Sequence, residues 1–131
     1  FAFRRTSLVV RDMDASLALY RDAIGMRVIY DNVIRTPREA KTDDQAERVS
    51  RLVFLRGNDD YIGVIGLLEY RKPLRPPRPA RSDDDLRPGD IVLVFNLQNQ
   101  QAVFDRARQV PGVRVGEAPN PVTYPSYDGT G

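Results

Sequence analysis

The sequence predicts an α+β fold built on a duplicated β-α-β unit, and three observations carry that expectation. Residues 2–10 alternate loosely along the chain and lead directly into an apolar stripe at helical spacing. "GMRV" at 25–28 and "GVRV" at 112–115 hold matching places, each just after a predicted helix, so the unit recurs about 85 residues on. A proline- and arginine-rich stretch, 71–89, lies between the copies. A chain of 131 residues is long enough for one domain with a real core, or for two small modules sharing one.

The elements follow in order. In the first strand Phe3, Arg5, Ser7 and Val9 share one face and Thr6, Leu8 and Val10 the other. Asp12 or Asp14 can cap the next helix, because a short carboxylate accepts from the free amides of a first turn. Met13, Leu17, Tyr20 and Ile24 form its apolar stripe, and Gly25 suits the position just past its end. Residues 27–32 read as a second strand, 36–47 as a polar loop and 49–55 as a third strand. "GNDD" at 57–60 is a turn. Residues 61–70, nearly all apolar, read as a central fourth strand. Residues 71–89 hold five of the ten prolines and few core-forming residues, as a stiff connection would. Beyond it, "DIVLVFNL" (90–97) reads as a strand, 99–110 as a helix with Val103, Ala107 and Val110 on one side, and 112–115 as the start of another strand. The domain reading is a first module over 1–70, a linker over 71–89 and a partial second module over 90–131. The second copy closes on "PNPVTYPSYDGTG", without counterparts to strands three and four.

Composition excludes several function classes. The chain has no cysteine, hence no disulfide, thiolate nucleophile or zinc–sulfur site. It has no histidine, hence no Ser-His-Asp triad, HExxH zinc site or imidazole base, and acid–base work falls to Asp, Glu, Tyr or Lys. A net charge of +2 is too small to argue for nucleic acid, and the basic residues are scattered rather than interleaved with aromatics. No apolar run is long enough for a membrane span or the core of a signal peptide. The missing initiator methionine suggests a trimmed or processed chain, and a reducing cytoplasm is the default compartment.

"TSLVVRDMDASLALYRDAIGMRV" resembles the opening of the vicinal-oxygen-chelate superfamily, which includes glyoxalase I, bleomycin-resistance proteins and extradiol dioxygenases. The shared features are the strand, the D-x-x-x-S-x-x-x-Y pattern at Asp12, Ser16 and Tyr20, and the step Ile24-Gly25-Met26. The resemblance implies a glyoxalase-like fold of paired βαβββ modules around a shared cavity, here with an incomplete second module. In metal-dependent members, it further implies one ligand from the first strand and one from the fourth strand of each module. The first-strand position, usually His, falls here on Arg5 and in the second copy on Asp90. The fourth-strand position, usually Glu, falls on Gly66, with Glu69 three residues later. The D-P-x-G-x-x-x-E segment that carries the last ligand is absent.

A guanidinium has only donors and stays protonated, so it cannot ligate a cation. Arg5 is therefore expected to pair with Asp90 or to face an anionic ligand, in place of a metal. Without the family resemblance, an arginine near a strand start is more often simply solvated. Ser7, Val92 and Tyr124 are taken as further ligand-contacting residues. Glu69 is the catalytic candidate, as a base or a residual ligand; a surface carboxylate beside Arg71 and Lys72 is the plainer reading and slightly the favoured one. Tyr61, Tyr70 and Tyr127 can line a cavity or simply pack. Asp83-Asp84-Asp85 and the PxxP spacing in "PLRPPRPAR" read as parts of a solvated linker.

Two functions follow. The first is a glyoxalase/bleomycin-resistance-like protein that binds a small organic ligand in the inter-module cavity, its usual metal site lost. The second is a lyase of lactoylglutathione-lyase type with an altered divalent-metal site. Extradiol chemistry needs two histidines and a carboxylate around iron and is nearly excluded. No cofactor is expected, with a divalent metal disfavoured. The expected partners are a small-molecule ligand and a second copy in a homodimer, with no nucleic acid and no membrane.

Overall fold

The structure is a computed structural model and describes residues 1–76, 79, 85–116 and 119. Its centre is one mixed sheet of four strands: β1 (Arg5–Val10), β2 (Arg27–Thr36), β3 (Arg48–Arg56) and β4 (Val64–Lys72). The order is β1-β4-β3-β2, with β1 parallel to β4 and the other neighbours antiparallel. A helix, α1 (Met13–Leu17), connects β1 to β2 and continues as a π-helical segment through Ala18–Ala23. The first module is thus a complete βαβββ unit in which the last strand returns beside the first.

Local chemistry sets the ends of the helical segment. Asp12 stands in extended backbone, and its Oδ1 accepts from the amides of Asp14 and Ala15 at 3.0 and 3.3 Å. At the far end Gly25 takes φ +95° and the Met26 amide reaches back to the Tyr20 carbonyl at 3.0 Å. Between these caps the stripe Met13, Leu17, Tyr20 and Ile24 packs against the sheet.

Strand alternation then divides the sheet into two faces. The helix-side face supplies Val53, Leu55, Ile65 and Leu67 to a core with Met13, Leu17 and Met26. Leu8, Val10 and Val28 pack at its margin. The opposite, open face carries Arg5, Ser7 and Val9 of β1, all exposed. A bulge between Val28 and Tyr30 shifts β2 by one residue. Val28 therefore pairs with core-facing Leu55, whereas Tyr30 pairs with Phe54 on the open face.

The first-module strands lie where the sequence places them, with shifted ends. β2 runs four residues past the expected stop, as far as Thr36, because it pairs with β3 along the whole of that length. The second copy departs further. Residues 90–97 and 112–115, expected as strands, form no ladder among the described residues. Even so, 91–97 keeps a strand-like alternation. Leu93 and Phe95 pack on the first module's core while Val92 and Val94 are exposed. The second helix, α2 (Gln100–Ala107), is shorter than expected and buries Val103. Arg106 Nε donates to the Ala23 carbonyl at 3.1 Å, so α2 satisfies an end group of the first helical segment.

The strand carboxylates are Asp31 and Glu69, and both attach to the helix side. Arg51 donates to Asp31 through Nε and Nη2 at 3.0 and 2.7 Å and approaches Asp14 at 3.9 Å. The Arg51 hydrogen bonds hold the Asp31 carboxyl below the usual carboxylate range. A depressed acid stabilises the fold above its unfolded pKa and loses that contribution as pH falls through its folded pKa. Asp31→Asn is therefore expected to be less stable than the parent above about pH 4. The gap should close on further acidification, as read from urea midpoints across a pH series.

Candidate functional site

The register of the four strands assembles the open face in rows. Ser7, Gly66, Phe54 and Tyr30 form one row across β1, β4, β3 and β2. Val9, Leu68, Leu52 and Asn32 form the next. Arg5 leans across the first row, its Cζ 4.1 Å from the centre of the Phe54 ring. Phe54 in turn stacks on Tyr30, with centroids 5.0 Å apart and planes at 28°. Asn32 Nδ2 donates to the Tyr30 hydroxyl at 3.2 Å.

Gly66 is what lets Arg5 lie there. A Cβ at this buried position would stand 2.7 Å from Ser7 Oγ, 3.3 Å from Arg5 Cδ and 3.4 Å from Phe54 Cδ1. The fourth-strand position is thus closed to a side chain unless Ser7 and Arg5 move. The implied first-strand and fourth-strand positions form one joint arrangement: a cation at the first, and only a hydrogen at the second.

The other candidates do not join this group. Asp90 lies before the strand-like run and accepts from the Arg87 amide at 2.8 Å. The expected Arg5–Asp90 ion pair is not formed among the described residues; Arg5 lies on an aromatic ring instead. Val92 is 63 % exposed and leaves the core to Leu93 and Phe95. Glu69 sits on the helix side, opposite Val10 and Arg51 in the ladder. Its Oε2 accepts from the Met13 amide at 2.6 Å and its Oε1 from Arg71 Nε at 2.8 Å. That geometry gives Glu69 a structural role at the start of α1, away from the Arg5 face. Tyr124, Tyr127 and Asp83-Asp84 lie outside the described residues.

Sequence reasoning missed Phe54 and Tyr30 as site residues. Alternation could have put Phe54 on a face of β3, but the bulge before Tyr30 leaves no such signal. A separate cavity of about 410 Å³ lies between the first module and residues 93–97, with Thr6, Ile65, Phe95 and Asn96 among its walls. Neither Arg5 nor Glu69 lines it.

With this geometry in place, comparison with known proteins gives the family. Residues 2–128 match the Glyoxalase/Bleomycin resistance protein/Dioxygenase superfamily, and the chain belongs to it. The crystal structure of a glyoxalase family protein from Bacillus cereus is similar at 15 % identity, with TM-score 0.56 over 88 % of this chain and 75 % of that one. At such identity the likeness concerns the fold. The structure of SMU.1112c shares 21 % identity over 98 % of this chain and 85 % of its own, with a TM-score of 0.46 that adds nothing to the fold argument. No curated protein matches. No helix among the described residues is long and apolar enough to cross a membrane.

Some members of this superfamily, by the resemblance of the opening stretch, imply a divalent metal held by strand-borne ligands. Arg5 repels a cation, Gly66 offers no donor, and Glu69 is engaged on the other face. No group of three or more His, Cys, Asp or Glu residues among those described could share a metal ion. The described residues do not fit the metal.

Gly66→Ala is expected to destabilise the fold by about 1–3 kcal/mol through overpacking against Ser7 and Arg5. In a Ser7→Ala background the cost should shrink, because the nearest atom is gone. Denaturant unfolding of the four members of this cycle measures the coupling.

Proposed function

We propose that this chain binds a small organic ligand on the open face of its sheet, in a glyoxalase-like frame that has exchanged its metal ligands for an arginine. The observation that carries this reading is Arg5 lying over Gly66 onto Phe54. One side chain fills the space of the missing fourth-strand ligand and presents a fixed positive charge there. Fold alone does not give function, since one fold hosts many chemistries. The site does give the chemistry a direction: donors and aromatic surface for binding, and no carboxylate on the open-face strand positions for proton transfer. The lyase alternative with an altered metal site finds less support, because the two remaining ligand candidates, Glu69 and Asp90, accept hydrogen bonds from Met13 and Arg87.

The test is metal binding by the protein purified without chelator, by equilibrium dialysis against nickel, zinc, manganese and iron(II). No stoichiometric binding is expected. Stoichiometric binding lost in Asp90→Ala or Glu69→Ala would overturn the reading in favour of the lyase alternative.

We also propose a cytoplasmic homodimer. β1 and β2 are the edges of the sheet, and the strand-like run 91–97 has no ladder among the described residues. Unpaired edges of this kind pair readily with another chain. Sedimentation at micromolar concentration should give twice the chain mass of 14.8 kDa, and a monomer would refute the dimer.

A further inference from the structure

We propose that the ligand of the open face is an elongated organic dianion, flat and apolar across its middle, whose two ends are held by Arg5 and Arg75. This rests on the ligand-binding reading above and names the class of molecule.

Two arginines stand on this face in the same posture. Arg5 lies 4.1 Å above Phe54, and Arg75 lies 3.6 Å above Tyr70. Neither has an ion pair or a hydrogen bond among the described residues. Stacking occupies the flat face of a guanidinium and leaves the donors in its plane directed outward. Such a group is already oriented for bidentate contact with a carboxylate or similar oxyanion.

Their separation fits a molecule, not a single ion. Gly66, beneath Arg5, and Tyr70, beneath Arg75, are four residues apart on β4, about 13 Å at the usual strand rise. Between them runs the apolar row of Val9, Leu68 and Leu52. Val9 is 67 % exposed, so this row can still be covered.

Charge complementarity selects the sign of the occupant. The strand carboxylates, Asp31 and Glu69, both bond on the helix side, to Arg51 and to the Met13 amide. By alternation the strand positions of the open face hold Arg5, Arg27, Arg48 and Arg56 but no acid. Of these four, Arg5 is the one that lies on an aromatic ring among the described residues, and Arg56 is engaged by the turn at Gly57, Asn58 and Asp60. A neutral apolar ligand would leave two oriented cations unpaired, and a simple inorganic anion would leave the apolar row uncovered.

The experiment is isothermal titration of the full chain at low salt with biphenyl-4,4′-dicarboxylate. Biphenyl-4-carboxylate, 4-biphenylmethanol and inorganic phosphate serve as comparison probes. Arg5→Gln and Arg75→Gln are the variants, and Arg38→Gln, an exposed loop change, is the control. The dicarboxylate should bind best, the monocarboxylate about tenfold more weakly, and each variant should cost the dicarboxylate about tenfold while the control costs nothing. Unchanged affinity in Arg5→Gln and Arg75→Gln, or no wild-type binding at millimolar probe, overturns the proposal. Equal binding of 4-biphenylmethanol also overturns the dianion class but leaves the ligand-binding reading standing. Metal binding with no probe binding defeats both. A fall in sedimenting mass on either substitution, without a change in probe affinity, would make this face an interface between copies and likewise overturn the proposal.

Discussion

The parallel pairing of β1 with β4 is the constraint on which the rest of this structure depends. It brings the first and last strands of the module side by side, and so sets Leu8 beside Leu67 and Ser7 beside Gly66. On one side the pairing completes the apolar floor under α1. On the other it brings Arg5 next to a position with no side chain. Because successive residues of a strand point to opposite faces, one pairing fixes both outcomes together. A slip of one residue would bury Arg5 and expose Leu8.

The two faces use arginine differently. On the helix side Arg51 is half-buried, bound through two nitrogens to Asp31 and near Asp14, and it ties β3 to β2 and to α1. Its charge is matched there. On the open face Arg5 and Arg75 rest on aromatic rings. A cation over an exposed ring is worth only about 0.5–1 kcal/mol, enough to orient a side chain and too little to consume its charge. The contrast separates an arginine that ties strands and helix together from two that rest on rings with their donors directed outward.

Glu69 shows how one strand carboxylate supports two readings. A carboxylate in the last strand invites a catalytic reading in a family known for strand-borne ligands. In this chain it accepts the first amide of α1, one of the donors that a helix start leaves unpaired. Arg71 holds its other oxygen. The same carboxylate chemistry that suits proton transfer suits an N-terminal cap, and only the face on which it stands tells the two apart.

By itself the sequence determined the local elements. The Asp12 cap, the stripe from Met13 to Ile24 and the stop at Gly25 are decided by residues within a few positions of one another, so they are legible along the chain. The family pattern is legible for the same reason, because it lies in one continuous stretch. Arg5 could be singled out as a charge where a ligand is implied. Its resting place could not, because Phe54 reaches it only through β4, and Tyr30 joins them only after a bulge that alternation does not announce. The strand expected over 90–97 has the right apolar alternation, but it has no ladder among the described residues. Pairing, register and face are agreements between distant segments, and the tertiary structure alone decides them.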